Sequence, residues 1–349
     1  MTSFATLPAP ERALILNQVA GRLDVVPVIV EKDFWVCWAL GRIFETPEIS
    51  PHVVFKGGTS LSKVYGVTQR FSEDIDLAVS PQALRFSEQT LNEAPSATQR
   101  RKRVEALFAE CERCVEQRFK PALEASLRVV LGPPPLEGDD WLKYALDSQA
   151  GTPNLLFNYP SALPQAGGYI AKQVKLEFGA LTNQQPTAPQ RVAAMLALAP
   201  GAALAEAFDD LNVGVIALAL ERPFWEKATI LHAEFHRPPE LPIRDRFARH
   251  YADFAALWRH ASRDAAMARL DLLRGVVQHK SRYFASSWAH YDTAKQGSFR
   301  LVPPAERLSA LTQDYDEMRL MFITPPLDFT EVLDTLAAAE QTLNTTVSS

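Results

Sequence analysis

The chain has 349 residues, 47% of them hydrophobic, and a formal net charge of −5, which allows a sizeable buried core and suits two domains better than one. Three cysteines exclude a disulfide scaffold, and no run of about 18 apolar residues offers a membrane span. The first seventeen residues lack the charged, apolar, small-residue order of a secretion signal, so a cytosolic chain without a membrane partner is expected.

In chain order, residues 10 to 22 and 31 to 45 read as helices, the second (EKDFWVCWALGRIF) rich enough in aromatics to be buried. His52 to Lys56 read as a short apolar strand, followed by Gly57 and Gly58, which permit torsions and close ligand approach that a side chain would block. Thr59 or Ser60 can then cap a helix through Leu61, Val64 and Tyr65. The free amides and partial positive charge of such a helix start suit an anion such as a triphosphate, with Ser60, Ser62 and Lys63 as helpers.

Next comes RFSEDIDL. With Ile75 and Leu77 facing a core, Asp74 and Asp76 share the other face of a strand, roughly 7 Å apart. Two carboxylates so spaced can grip one or two Mg²⁺ (or Mn²⁺) ions and leave positions open for substrate phosphates. Arg70 and Ser72 precede them and can either meet phosphate or fix the loop. A diglycine turn alone is usually only a turn, and an acidic pair on a strand is usually a solvated face. Strand, GG turn, helix and acidic strand in that order point to metal-dependent nucleotide chemistry.

Residues 98 to 119 read as a long charged helix, Pro133 to Pro135 and Glu137 to Asp140 break the chain, and the interval to about 168 is loop-rich with short strands. Tyr169 to Phe178 (YIAKQVKLEF) have β character, with Val174 and Leu176 on one face and Lys175 and Glu177 on the other. From about 189 onwards Ala- and Leu-rich segments of helical period dominate, interrupted at Pro223, Pro238 to Pro242, Pro303 to Pro304 and Pro325 to Pro326.

Cys111 and Cys114 form a CxxC, but in a charged helical segment with no second pair. His232 and His236 (HAEFH) lack the HExxH order of zinc proteases and read as structural or surface histidines. Between Arg222 and Arg300 fourteen Lys or Arg stand against eight Asp or Glu, a positive region that can be a solvated face or can steer a polyanion. Within it, Arg249 and Asp253 have the spacing of an i, i+4 surface pair, and Lys227 lies on a helix whose other face (Phe224, Ala228, Leu231) is apolar.

The strings GGTSL and RFSEDIDL resemble the signature of the AbiEii-type toxin nucleotidyltransferases, a branch of the polymerase β-like superfamily, and HKSRYFASSWAHYDTA and SFRLVPP extend the resemblance over nearly the whole chain. The resemblance implies an α+β fold: a nucleotidyltransferase domain over residues 1–188, with a mixed sheet flanked by helices, and a helical C-terminal domain over residues 189–349. It implies a third carboxylate from a later strand, for which Glu177 is the candidate metal ligand beside Asp74 and Asp76. It puts the nucleotide against Gly57, Gly58, Thr59, Ser60, Lys63, Arg70 and Ser72.

The same resemblance matches Lys227 to a phosphate-binding Lys and Asp253 to a catalytic Asp of unspecified role, with both reaching the nucleotide from the C-terminal lobe. Arg249, Lys280 and Arg282 become candidate contacts to phosphate or RNA backbone, with Tyr283 and Trp288 in the core. The implied activity is transfer of a nucleoside monophosphate from an NTP, with release of pyrophosphate, by a toxin with a separately encoded antitoxin. The implied acceptor is a tRNA 3′ end or other RNA. A nucleotide-binding regulator without transfer, or transfer onto a protein, are the alternatives. A kinase is not supported, since neither a GxGxxG nor an HRD-type loop is present.

Overall fold

Short apolar runs flanked by turns become strands, and they assemble into one mixed sheet. The computed structural model describes residues 2–87, 93, 94, 96–136, 138–147, 151–164, 171–201 and 203–345. Its seven strands are β1 (Val53–Lys56), β2 (Asp74–Val79), β3 (Leu142–Asp147), β4 (Thr152–Phe157), β5 (Val174–Gly179), β6 (Thr187–Ala193) and β7 (Asn212–Leu218). Their order in the sheet is β3-β4-β5-β2-β1-β7-β6. β2 runs antiparallel to β1 and parallel to β5, β5 is antiparallel to β4, and β7 is parallel to β1. The expected α+β architecture with a mixed sheet is the one the chain forms.

The described chain divides into two compact units, Met1–Val64 with Phe71–Ala217, and Tyr65–Arg70 with Leu218–Ser349. In the first, α1 (Ala9–Leu23), α2 (Pro27–Glu45), α3 (Gly57–Lys63), α4 (Ala97–Cys114) and α5 (Lys120–Leu131) accompany the sheet, with one wider turn at Val115–Phe119 joining α4 to α5. In the second, α6 (Glu221–Phe235) packs with α7 (Ala248–Arg259) and α8 (Leu270–Tyr283), and α7 also meets α9 (Leu308–Glu317) and α10 (Phe329–Thr345). Phe224, Phe254 and Trp258 form the aromatic contact between α6 and α7. The segment Tyr65–Arg70 is tied into this unit by Tyr65 Oη donating to Leu218 O at 2.6 Å and Ile323 N donating to Gln69 O at 2.9 Å.

Helix α2 is the expected buried aromatic helix, and every residue from Val30 to Gly41 is buried. Trp35 and Trp38 pack on Phe157 of β4. Less expected are its three consecutive charges, all buried. Glu31 accepts from Ala162 N at 2.5 Å and Ser161 Oγ at 2.7 Å, Lys32 pairs with Glu73 at 2.5 Å, and Asp33 pairs with Lys63 and accepts from Met195 N at 2.7 Å. One helix turn therefore anchors three different pieces of chain.

Three readings of local structure are corrected. The region from 189 is not uniformly helical: β6 continues to Ala193 and β7 inserts beside β1. In NVGVIAL of β7, Gly214 and Ile216 take the more exposed positions between buried Val213, Val215 and Ala217, so the residues show no polar alternation to separate strand from helix. Thr59 and Ser60 do not cap α3, which starts at Gly57 with Lys56 in the cap position and buries both hydroxyl residues. The charged helix runs on past 119 to Leu131.

Of the strand read over Tyr169 to Phe178, Tyr169 and Ile170 lie outside the described residues, as does Glu137 of the break before it. Cys37, Cys111 and Cys114 are free and buried, and burial pushes the Cys111 thiol up to about 12, in keeping with a structural CxxC. Among the described residues no single helix is long and apolar enough to cross a membrane. Only the bent pair α1 and α2 matches a span in length and composition, and α2 is buried against the sheet.

Lys63 is the sole cation paired with Asp33 among these ion pairs, and Asp33 is 1% exposed. Lys63→Met is therefore expected to lower the unfolding free energy by about 3–5 kcal/mol in urea titration, with Asp33→Leu restoring part of it, because an unpaired buried charge costs more than an absent pair.

Candidate active site

In the first unit, β2 and β5 lie side by side in parallel with Asp74 opposite Lys175 and Asp76 opposite Glu177. Ile75, Leu77, Val174, Leu176 and Phe178 are buried, so the alternation puts Asp74, Asp76, Lys175 and Glu177 on the other face. The register extends this row in both directions: Lys56 of β1 is opposite Asp76, and Asn154 of β4 is opposite Glu177. Four adjacent strands thus present Lys56, Asp76, Glu177 and Asn154 across one face.

Burial, then Glu177, with Asp76 and Glu73 adding to it, pushes Asp74 up to about 6 against the counter-effect of Lys175. Lys175 also pairs with Glu177, and that partner with Asp74 and Asp147 raises its ammonium despite burial. The face therefore holds three carboxylates against two cations, Lys56 and Lys175.

Asp76 explains the first glycine. Gly57 has φ +81°, and a Cβ there would overlap the Asp76 carboxylate, standing 2.6 Å from its Cγ. Any side chain would displace Asp76 as well as strain the backbone. Thr59 Oγ1 lies 2.6 Å from Ser72 Oγ and also donates to the Asp74 carbonyl. These two residues therefore fix the entry into β2, and Lys32 holds Glu73 from beneath. Lys63 points instead to Asp33 and Ala193 O; burial lowers its pKa, but Asp33 and Cys37 outweigh this and raise it.

The donor set of Asp74, Asp76 and Glu177 is all oxygen, which fits a hard divalent cation. Two further observations fit it: the uncompensated charge at Asp74, and the Asn154 Oδ1, buried without a hydrogen-bond partner beside Glu177. Among the described residues no three of these side chains converge as a ready-made ligand cluster, since Lys175 holds the Glu177 carboxylate.

The second unit contains the other group. Asp253, 1% exposed, accepts from Arg70 Nε at 3.0 Å and Arg70 Nη2 at 3.2 Å, and from Lys227 Nζ at 2.7 Å. Lys227 Nζ also lies 2.9 Å from His250 Nδ1. Burial alone would raise Asp253, but Arg70 and Lys227 outweigh it and hold the carboxylate well below its usual range. Burial, with Arg70 and Arg249 beside it, lowers the Lys227 ammonium against the pull of Asp253, and burial with Lys227 keeps His250 neutral.

Arg249 and Asp253, whose spacing allows an i, i+4 surface pair, do not pair: Asp253 faces inward, because two buried cations claim it. Elsewhere Lys280 donates to Glu226 O at 2.9 Å, and burial brings it down to about 7. Arg282 is half-buried in the last turn of α8, and Tyr283 and Trp288 are half-buried rather than core. His232 is buried, lowered to about 4 by burial and His236, and accepts from Arg300 N at 3.1 Å, a structural histidine.

The sequence reading passed over Glu31, Lys32 and Asp33, Lys56, Asn154 and His250. The first three carried a signal: three successive residues on a helix span about 200° of its circumference, so in a helix buried all round they could not all face water.

The family model for the nucleotidyl transferase AbiEii toxin of type IV toxin–antitoxin systems matches residues 38–338. The chain belongs to the AbiEii family. This nucleotidyltransferase toxin therefore comes from a family that takes an NTP as substrate and works beside a cognate antitoxin. A solved structure similar to it is MenT4, a nucleotidyltransferase toxin from Mycobacterium tuberculosis H37Rv, at 16% identity and a TM-score of 0.42, covering 95% of this chain and 99% of that one. No curated protein matches the chain by sequence.

Two outcomes follow from the charges. Asp74 titrates at about 6 when folded against an ordinary 3.8, so stability falls as pH rises from about 4 to about 6 and stays lower above that. Asp74→Asn is expected to remove that fall and to raise the melting temperature at pH 7.5 by a few °C in a thermal scan without divalent cations. Asp253→Asn leaves two buried cations without their counter-ion and is expected to cost about 3–5 kcal/mol in urea titration.

Proposed function

We propose that this AbiEii toxin transfers a nucleoside monophosphate from an NTP to the 3′ end of an RNA acceptor, a tRNA before others, and releases pyrophosphate. The reading rests on one observation above the rest: Asp74, Asp76 and Glu177 share one face of two neighbouring strands, and their charge exceeds what Lys56 and Lys175 offset. A divalent cation, Mg²⁺ or Mn²⁺, held by these three carboxylates would neutralise the triphosphate and favour ionisation of the attacking hydroxyl.

The chain's own residues do the rest. Gly57 leaves room for Asp76 and, with Gly58, offers backbone in place of side chains to the phosphates. Thr59 and Ser72 hold the Asp74 backbone in place, so their part is to position rather than to touch the nucleotide. Lys227, aligned by Asp253 and His250, is assigned to phosphate charge, and Arg70 shares Asp253 and keeps it ionised. Arg249 adds positive potential beside Lys227. Lys280 and Arg282 on α8 are assigned to RNA backbone. The excess of Lys and Arg between Arg222 and Arg300 supports a polyanionic acceptor. Such chemistry belongs in the cytoplasm, where NTP, RNA and antitoxin meet.

The test incubates the purified chain with total RNA, Mg²⁺ and each α-³²P-labelled NTP in turn, beside Asp76→Ala, and separates products on denaturing gels. Label is expected in a tRNA-sized band for one favoured NTP and is expected to disappear with Asp76→Ala and on chelation by EDTA. Label on protein would keep the chemistry and overturn the acceptor. No label with any NTP, alongside NTP-dependent thermal stabilisation, would make the chain a nucleotide-binding regulator.

A further inference from the structure

β4 carries one residue that its surroundings do not ask for. From Pro153 to Phe157 the strand reads PNLLF, and Asn154 is its one polar side chain. It is 3% exposed, and its Oδ1 is buried with no hydrogen-bond partner. An apolar residue of the same size would serve β4 as well and avoid the cost of leaving a buried acceptor without a partner. Most buried side-chain polar atoms in folded proteins have partners; Asn154 Oδ1 is one of eleven among the described residues without one, and its place in the sheet sets it apart.

The register says where that ligand sits. Asn154 is directly opposite Glu177, and Glu177 is directly opposite Asp76. Paired residues in adjacent strands share a face, with Cβ atoms about 4.5–5.5 Å apart across an antiparallel pair, so the orphan oxygen belongs to the acidic row. An acceptor at the end of a row of carboxylates cannot be satisfied by those carboxylates once they are ionised, since they have no hydrogen to give. Lys175, on the neighbouring strand, is engaged with Glu177, and Lys56, the other cation of the row, is three strands away on β1. What remains is a water carrying two hydrogens, held in place by the cation that the carboxylates attract.

We propose that Asn154 is a further residue of the cation site, its Oδ1 accepting a hydrogen bond from a water on the divalent ion held by Asp74, Asp76 and Glu177. The inference rests on the metal-dependent reading above and adds a positioning residue to it. Asn154 orients the hydrated ion next to Glu177, and its neutrality matters. With Lys56 also on the face, three carboxylates stand against two cations. An acid at 154 would add a fourth carboxylate and favour a more tightly held ion.

The test measures Mn²⁺ binding to the full chain by the loss of the free-ion EPR signal, without any nucleotide, for wild type, Asn154→Leu, Asn154→Asp and Asp76→Ala, with urea unfolding of each apo protein. Asn154→Leu is expected to weaken Mn²⁺ about 10-fold, in the range seen when outer-shell partners are lost, while its apo stability matches or exceeds wild type. Asn154→Asp is expected to tighten Mn²⁺ several-fold. A purely structural asparagine would not move affinity in opposite directions.

If both Asn154 variants bind as wild type does while Asp76→Ala does not bind, Asn154 is a core residue and the inference fails by itself. If wild type binds no Mn²⁺, or Asp76→Ala binds as well as wild type, the metal reading fails and takes the inference with it. Should Asn154→Leu fail to fold, unchanged affinity in Asn154→Asp overturns the inference alone.

Discussion

The geometry of the acidic strand depends on charges buried inside a helix made of aromatics. Glu31, Lys32 and Asp33 are each almost fully buried, and each of them is bonded to a different piece of chain. Burying an ion costs several kcal/mol unless a partner of good geometry meets it, so these three residues define where their partners must be. Lys32 meets Glu73, the residue before Asp74. Asp33 meets Lys63 at the end of α3. The glycine turn and the carboxylates are thus suspended between two charge pairs whose alternative arrangements are all expensive. Pairs of this kind add little net stability but exclude other packings, which is what a site requiring sub-ångström placement needs.

Charge is distributed in opposite senses in the two units. On the strand face, three carboxylates outnumber two cations, Lys56 and Lys175, and Asp74 is drawn towards protonation. Around Asp253, two cations outnumber one carboxylate, which stays ionised at any physiological pH. The first is a local excess that a cation relieves and the second a local excess that an anion relieves.

Much of this was legible in the residues alone, and the limits have physical causes. DIDL disclosed its faces because strands alternate with period two, and the buried Ile75 and Leu77 set the direction of Asp74 and Asp76. The strand at Val174 and the glycine turn before α3 followed from the same local rules. β7 was missed because Gly214 and Ile216 occupy its more exposed positions, so the alternation in burial is not written in residue polarity. The partners of Asp253 were missed because pairing is not local: the i, i+4 neighbour Arg249 was the economical guess, and Arg70 took the place from 183 residues away. Asn154 gave no sign at all, since its significance lies in the register of β4 on β5, which no string of residues encodes.

The excursion of Tyr65–Arg70 into the second unit has a consequence in time. A ribosome adds roughly 5–20 residues per second, so Arg70 leaves the peptidyl transferase centre roughly 10–40 seconds before its partner Asp253, 183 residues downstream, has been made. Through that interval a nascent chain already possesses its glycine turn and the DIDL strand, while the six residues just before that strand await a unit not yet translated. A guanidinium without its carboxylate has no reason to be buried. Premature termination anywhere before residue 253 yields a chain that lacks the counter-ion of Arg70 and Lys227.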